Sequence, residues 1–228
     1  MADVLCDPAL GSTRRDDDAL AKAFQQLEPH RPSLTRHVLE TWGVRSCLDL
    51  GCGTGSLLIE LAEADPLFRG WGVDASPSMI AAATRSIRDA GLEPQLCVAR
   101  GDITTVGQGS PPDPDEVQAL YGRSIMNEFF ADDGRAASEV LGVLSKRFPS
   151  KLFFVEDYYG CLTRDVPSVD DRLHTLLQDL AQAFSGQGVP PSSLEGWTSV
   201  YCESGCSLVH AYEGTNDGIS WFIHVIQL

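Results

Sequence analysis

The chain has 228 residues, 43% of them hydrophobic, enough apolar material for one sizeable core and too little length for two ordinary ones. Seventeen Lys and Arg against 32 Asp and Glu give a net charge of −15, a field that repels phosphate backbones and argues against a nucleic-acid partner. The longest apolar runs, 152–155 and 221–226, fall far short of the roughly 20 residues that span a bilayer, and the first residues lack the order of a signal peptide, so a cytoplasmic protein without membrane association is expected.

Residues 1–17, with Pro, Gly and the run Arg14-Arg15-Asp16-Asp17, read as a flexible leader, and 18–228 as a single domain. From Ala19 to Trp42 the apolar positions recur at helical spacing on either side of Pro29 and Pro32, which predicts two short helices with a break between them. Beyond them, short apolar runs alternate with helical stretches, the pattern of an α/β parallel sheet covered on both faces. The predicted strands are 46–50, 70–73, 95–99, 117–121, 152–156, 207–212 and 220–226. The predicted helices are 57–63, 78–90, 134–148 and 169–184, with Pro77, Gly91 and Pro149 as punctuation. The connector 213–218 is too short for a crossover, so the last two strands should form an antiparallel hairpin.

The sharpest motif follows the first strand. In Leu48-Asp49-Leu50-Gly51-Cys52-Gly53-Thr54-Gly55, three glycines let the backbone turn sharply and approach a ligand, and a helix then opens near Ser56. Such a corner presents free amides at a positive helix end, suited to a carboxylate or phosphate, although a tight turn without a ligand has the same appearance. A dinucleotide fingerprint needs its third glycine at 56, where Ser56 stands, and a nucleotide P-loop needs Gly-Lys-Ser/Thr, which is absent. The segment resembles the first motif of class I S-adenosylmethionine-dependent methyltransferases almost letter for letter.

That resemblance implies a Rossmann-like doubly wound seven-stranded sheet, with an N-terminal helical lid over 18–45 and an inserted helical lid over 160–200. It implies S-adenosylmethionine as cofactor, bound by Asp49, Gly51, Cys52, Gly53 and Gly55, by Asp74 with Ala75 and Met79, and by Asp102 with Ile103. Asp74, at the tip of the second strand, would accept hydrogen bonds from the ribose hydroxyls; alone, it would serve equally well as a helix cap. Asp102 is similar to the family's adenine-contacting Asp, with Ile103 packing on the ring; after Gly101 it also suits a turn.

Topology puts the acceptor beyond the fourth and fifth strand ends, where Asn127, Glu128, Asp157, Tyr158 and Tyr159 are the substrate-pocket candidates. Asn127 and Glu128 are polar residues in an otherwise apolar stretch; a helix N-terminus would also explain Glu128. Tyr158 and Tyr159 would wall a flat substrate and Asp157 would bind a cationic amine, unless the segment is a solvated loop. His174 is a candidate base and His37 a candidate substrate contact, both from lid segments; His210 and His224 read as packing residues. The amine methyltransferases' Asn/Asp-Pro-Pro-Tyr/Phe is missing after the fourth strand, which argues against adenine, cytosine or glutamine as acceptor. Seven cysteines without a C-x-x-C pair indicate reduced thiols and no metal.

The expected activity is methyl transfer to a small-molecule N, O or C acceptor in specialised metabolism, with a homodimer as an option. A peptide side chain as acceptor and a non-methylating reaction such as cyclisation are the alternatives.

Overall fold

The computed structural model describes residues 34–106, 112–162, 173–216 and 219–228. The leader and the first of the two N-terminal helices lie outside them. In chain order the elements are α1 (Leu34–Thr41), β1 (Ser46–Leu50), α2 (Ser56–Ala64), β2 (Arg69–Asp74), α3 (Pro77–Asp89), β3 (Leu96–Arg100), β4 (Ala119–Arg123), α4 (Arg135–Arg147), β5 (Leu152–Tyr158), α5 (Leu173–Phe184), α6 (Leu194–Glu203), β6 (Ser207–Asn216) and β7 (Ile219–Gln227). Two short 3-10 turns, Pro114–Glu116 and Met126–Phe129, precede and follow β4. The seven strands form one mixed sheet in the order β3-β2-β1-β4-β5-β7-β6. By compactness the chain divides into two units, one ending at Gly122 and one beginning at Arg123.

In the first unit β1 runs parallel to β2 on one side and β4 on the other, and β2 parallel to β3. The strand order therefore reverses at β1, which opens a crevice at the carboxyl ends of β1 and β4, where a ligand of an open α/β sheet binds. β1 is buried almost throughout, which accounts for its continuous apolar reading. Leu48, Leu50, Leu58 and Leu120 have no exposed surface, each worth roughly 1.5–3 kcal/mol on burial. α3 starts at a fixed point because Ser76 caps it, its hydroxyl accepting the Met79 amide at 3.4 Å, and Pro77 supplies the first helical residue.

In the second unit β7 pairs antiparallel with both β5 and β6. The predicted hairpin is present, but pairing runs on to Asn216↔Ile219, so most of the supposed connector is strand. A further difference is α6. Ser193 caps it by accepting the Gly196 amide, and Leu194, Trp197, Val200 and Tyr201 recur at helical spacing, with the last three buried. His224 is a packing residue, as expected: fully buried, stacked on Phe222 with ring centroids 3.7 Å apart, and bonded at 2.9 Å to both the Tyr159 and Tyr201 hydroxyls. Since Tyr159 donates to Glu213, its oxygen takes the His224 Nε2 proton, and Nδ1 accepts from Tyr201. Burial holds this imidazole neutral, its pKa pushed down to about 3.

Candidate functional site

The glycine loop turns immediately after β1. Gly51, Gly53 and Gly55 have φ of 71°, 53° and 78°, in the left-handed region that glycine enters without strain. The Gly51 and Cys52 amides both donate to the Val73 carbonyl, at 2.8 and 3.0 Å, pinning the loop to the end of β2. The Gly53 amide donates to Asp74 Oδ2 at 2.9 Å, and the Ser76 amide to Asp74 Oδ1 at 2.8 Å. Asp74 thus braces the loop and the turn into α3, while the α3 cap is Ser76. A carboxylate has about four lone-pair sites, so two remain for ribose hydroxyls.

Nothing lies within 4 Å of where a Cβ on Gly53 would project, whereas one on Gly55 would come within 3.3 Å of Ala83. Open space at Gly53 and close packing at Gly55 are what a ligand cradle at the first and a helix contact at the second require. The opening turn of α2 adds amides with no intrahelical acceptor, suited to a carboxylate. This donor set fits S-adenosylmethionine.

The other predicted cofactor residues lie nearby in sequence and in diverse environments. Asp49 is buried in β1, and Met79 is buried at the start of α3. Cys52 is buried against Gly72, where an added Cβ would meet its sulfur at 2.7 Å. Burial, with Asp49 and Asp74 adding to it, pushes the Cys52 thiol far up, so it is a packing group rather than a nucleophile. The Ala75 carbonyl accepts from Arg100 Nε at 3.2 Å. Asp102 is exposed, and its Oδ1 accepts the amide and hydroxyl of Thr104 at 2.8 and 2.7 Å. It forms the turn that its position suggested and leaves Oδ2 available; Ile103 beside it is buried.

In the second unit the Asn127 amide donates to Asp157 Oδ2 at 3.0 Å, and the Tyr158 amide to Oδ1 at 2.9 Å. Asn127, Asp157 and Tyr158 are all buried, and Asp157 and Tyr158 belong to β5 rather than to a solvated loop after it. Burial raises the Asp157 carboxyl to about 8; the two amides oppose this and the neighbouring Glu156 and Glu128 charges add to it. Asn127 Oδ1 is buried without a hydrogen-bond partner. Glu128 is half-buried within the 3-10 turn, four residues after Ser124, whose φ of 50° is unusual for a side-chain-bearing residue. Tyr159 is committed to Glu213 and His224. His37 lies on the exposed side of α1, and the His174 side chain lies outside the described residues.

No sequence motif points to Asp179 or Gln182, yet both are buried on α5 with Thr175. The Asp179 Oδ2 accepts the Cys161 and Leu162 amides at 2.6 and 2.9 Å, while its Oδ1 and Gln182 Oε1 are buried with hydrogen-bonding capacity unused. Their only signal in the sequence is polar spacing along one helical face.

Residues 47–146 match the family model described as a methyltransferase domain. A curated relative, the release factor glutamine methyltransferase of Caulobacter vibrioides, is 37% identical over 65 residues, which cover 28% of this chain and 22% of that protein. Among solved structures, the mitomycin 7-O-methyltransferase MmcR is similar with a TM-score of 0.64 at 18% identity, over 82% of this chain and 50% of that one. An O-methyltransferase from neocarzinostatin biosynthesis, solved with S-adenosyl-L-homocysteine, is similar with a TM-score of 0.63 at 18% identity, over 94% of this chain and 58% of that one. The chain therefore spans little more than half the length of these structures, and at such identity the likeness is one of fold. Among the described residues no helix is long and apolar enough to cross a membrane, and no group of acidic, His and Cys side chains could hold a metal ion.

Proposed function

We propose that this domain binds S-adenosylmethionine through the Asp49–Gly55 loop and Asp74, and transfers its methyl group to a small-molecule acceptor in the cytoplasm. The observation that carries the reading is the Asp74 carboxylate bonded to the Gly53 amide, beside a glycine whose Cβ direction is open. Asp74 takes the ribose hydroxyls, Asp102 and Ile103 the adenine, and the first turn of α2 the amino-acid carboxylate. When bound, the cofactor supplies an already activated methyl group, so the chain's own work is to orient the acceptor and exclude water.

Asn127 and Glu128 are the residues assigned to the acceptor. The unpartnered Asn127 Oδ1 supports this, since a buried acceptor atom is costly unless something donates to it. Glu128 serves as base for an acceptor that is protonated at working pH. The mitomycin and neocarzinostatin methyltransferases favour a small molecule over a peptide, and Glu128-Phe129 where the glutamine-type motif has Pro-Pro argues the same way. Calorimetry tests the reading: S-adenosylhomocysteine should bind at micromolar strength and NAD should not, and the reverse would end it. Conversion of S-adenosylmethionine to S-adenosylhomocysteine across a panel of small hydroxyl and amine acceptors then tests transfer.

A further inference from the structure

α5 is inverted. A helix packed on a core ordinarily turns its apolar stripe inward. Here Thr175, Asp179 and Gln182, spaced i, i+4 and i+7, are 3%, 0% and 6% exposed, while Leu173 and Leu177 on the other side are 49% and 52% exposed. Hydrophobic burial alone would rotate the helix the other way, so the inward polar face must answer to something else.

The inward groups are mostly acceptors, and they are incompletely used. Asp179 Oδ1 and Gln182 Oε1 are buried with hydrogen-bonding capacity unused, and the Tyr158 hydroxyl lies buried against the Asp179 carboxylate. Gly160 lets the chain pass close over the carboxylate: a Cβ there would overlap the Pro190 carbonyl and come within 3.4 Å of Asp179 Oδ1. Among the described residues no Lys or Arg is paired with the Asp179 carboxylate, or with that of Asp157, which precedes Tyr158 in β5. A cluster of acceptors and carboxyl groups with no cation of its own is matched by a ligand that brings several N–H donors and a positive charge.

We infer that Asp179, Gln182 and Tyr158 form a buried recognition subsite for an ammonium group on the ligand. Taken with the proposed function, on which this assignment of the ligand as methyl acceptor rests, the substrate class is a small molecule bearing a primary or secondary amine. The amine need not itself be methylated; an anchoring role suffices.

The test titrates 2-phenylethylammonium and its neutral counterpart 2-phenylethanol into the full chain by calorimetry. The ammonium should bind about tenfold or more tightly than the alcohol, Asp179→Asn should erase the difference, and Gln182→Met should narrow it. Asp179→Asn keeps an oxygen for the Cys161 and Leu162 amides and should melt no lower than the parent. Equal affinity for the two probes in the parent chain, or a preference that survives Asp179→Asn, overturns the inference. Should that variant not fold, an unchanged preference in both Gln182→Met and Tyr158→Phe overturns it instead. S-adenosylhomocysteine binding, read on the same samples, separates the two readings. An ammonium preference without it removes methyl transfer and leaves the subsite; binding of the homocysteine product without the preference does the opposite.

Discussion

The Asp74 carboxylate, at the end of β2, accepts the Gly53 amide at 2.9 Å with one oxygen and the Ser76 amide at 2.8 Å with the other. One side chain thus holds the glycine loop in its left-handed conformation and sets the entry into α3. The consequence is that binding and folding are linked at this residue: the group assigned to ribose is also the clamp that shapes the loop.

Asp74→Ala should therefore lower both affinity and melting temperature. Loss of hydrogen bonds to a charged acceptor costs about 1–3 kcal/mol, and S-adenosylhomocysteine binding measured by calorimetry should weaken by roughly that amount. Asp74→Asn, which keeps one acceptor oxygen and adds a donor, should recover part of the thermal stability but little of the binding. A variant that melts lower yet binds normally would reduce Asp74 to its clamp.

Gly53 and Gly72 should respond in opposite ways to the same methyl group. At Gly53 the added Cβ meets open space, so Gly53→Ala costs only the strain of a left-handed residue, about 1–2 kcal/mol, and cofactor binding suffers more than folding. At Gly72 the Cβ would press on the Cys52 sulfur and the Val98 side chain, at 2.7 and 3.0 Å. Gly72→Ala should lower the melting temperature through overpacking, by roughly 1–3 kcal/mol. Paired melting and binding curves on the two variants check the contrast.

These two glycines also mark what a sequence discloses. The loop from Asp49 to Gly55 is legible because its function is local: glycine at fixed offsets after an apolar strand dictates a turn whatever surrounds it. α6 is not among the individually predicted helices, the last of which ends at 184, although the Ser193 cap and the spacing of Leu194, Trp197 and Tyr201 carry it. The burial of α5 is not legible at all. Leu173, Leu176, Leu177 and Leu180 would predict an apolar inward stripe, and only tertiary packing turns Asp179 in and Leu177 out. Asp157 and Tyr158 were placed past a strand end for a similar reason, since a buried strand and a loop with polar residues look alike until the partner strand is known.

Stability should pass through a plateau in mildly acidic solution, because two buried groups act with opposite signs. The Asp157 carboxyl rises from 3.8 to about 8 in the fold, so between these values the unfolded chain is ionised and the folded chain is not, and stability falls as pH rises. His224 falls from 6.5 to about 3, so between these values the unfolded chain is protonated and the folded chain is not, and stability falls as pH drops. From about 4 to 6.5 the two slopes offset each other; from 6.5 to about 8 only the Asp157 slope remains. Melting curves across that upper window should show a decline in the parent chain and a flat profile in Asp157→Asn. An equal decline in both would locate the titrating group elsewhere.

Asn127 separates recognition from folding most cleanly. Its backbone amide holds Asp157 whatever the side chain, and its Oδ1 is buried without a partner. Asn127→Leu keeps the amide bond and nearly the volume while removing an acceptor atom whose burial costs about 1–3 kcal/mol. The melting temperature should hold or rise. If the oxygen is kept for the acceptor, as proposed, kcat/KM for that acceptor should fall about tenfold or more while S-adenosylhomocysteine binding stays unchanged. Glu128→Gln, one residue on, should act differently: as the loss of a base it should lower kcat by about 10²–10⁴ and leave both affinities near their parent values. As a mere helix-end charge it would cost only about 0.3–1 kcal/mol of stability, less still in so short a 3-10 turn. A lower melting temperature with full turnover in Asn127→Leu would assign that side chain to the fold, and unaltered kcat in Glu128→Gln would leave the reaction without a base from this turn.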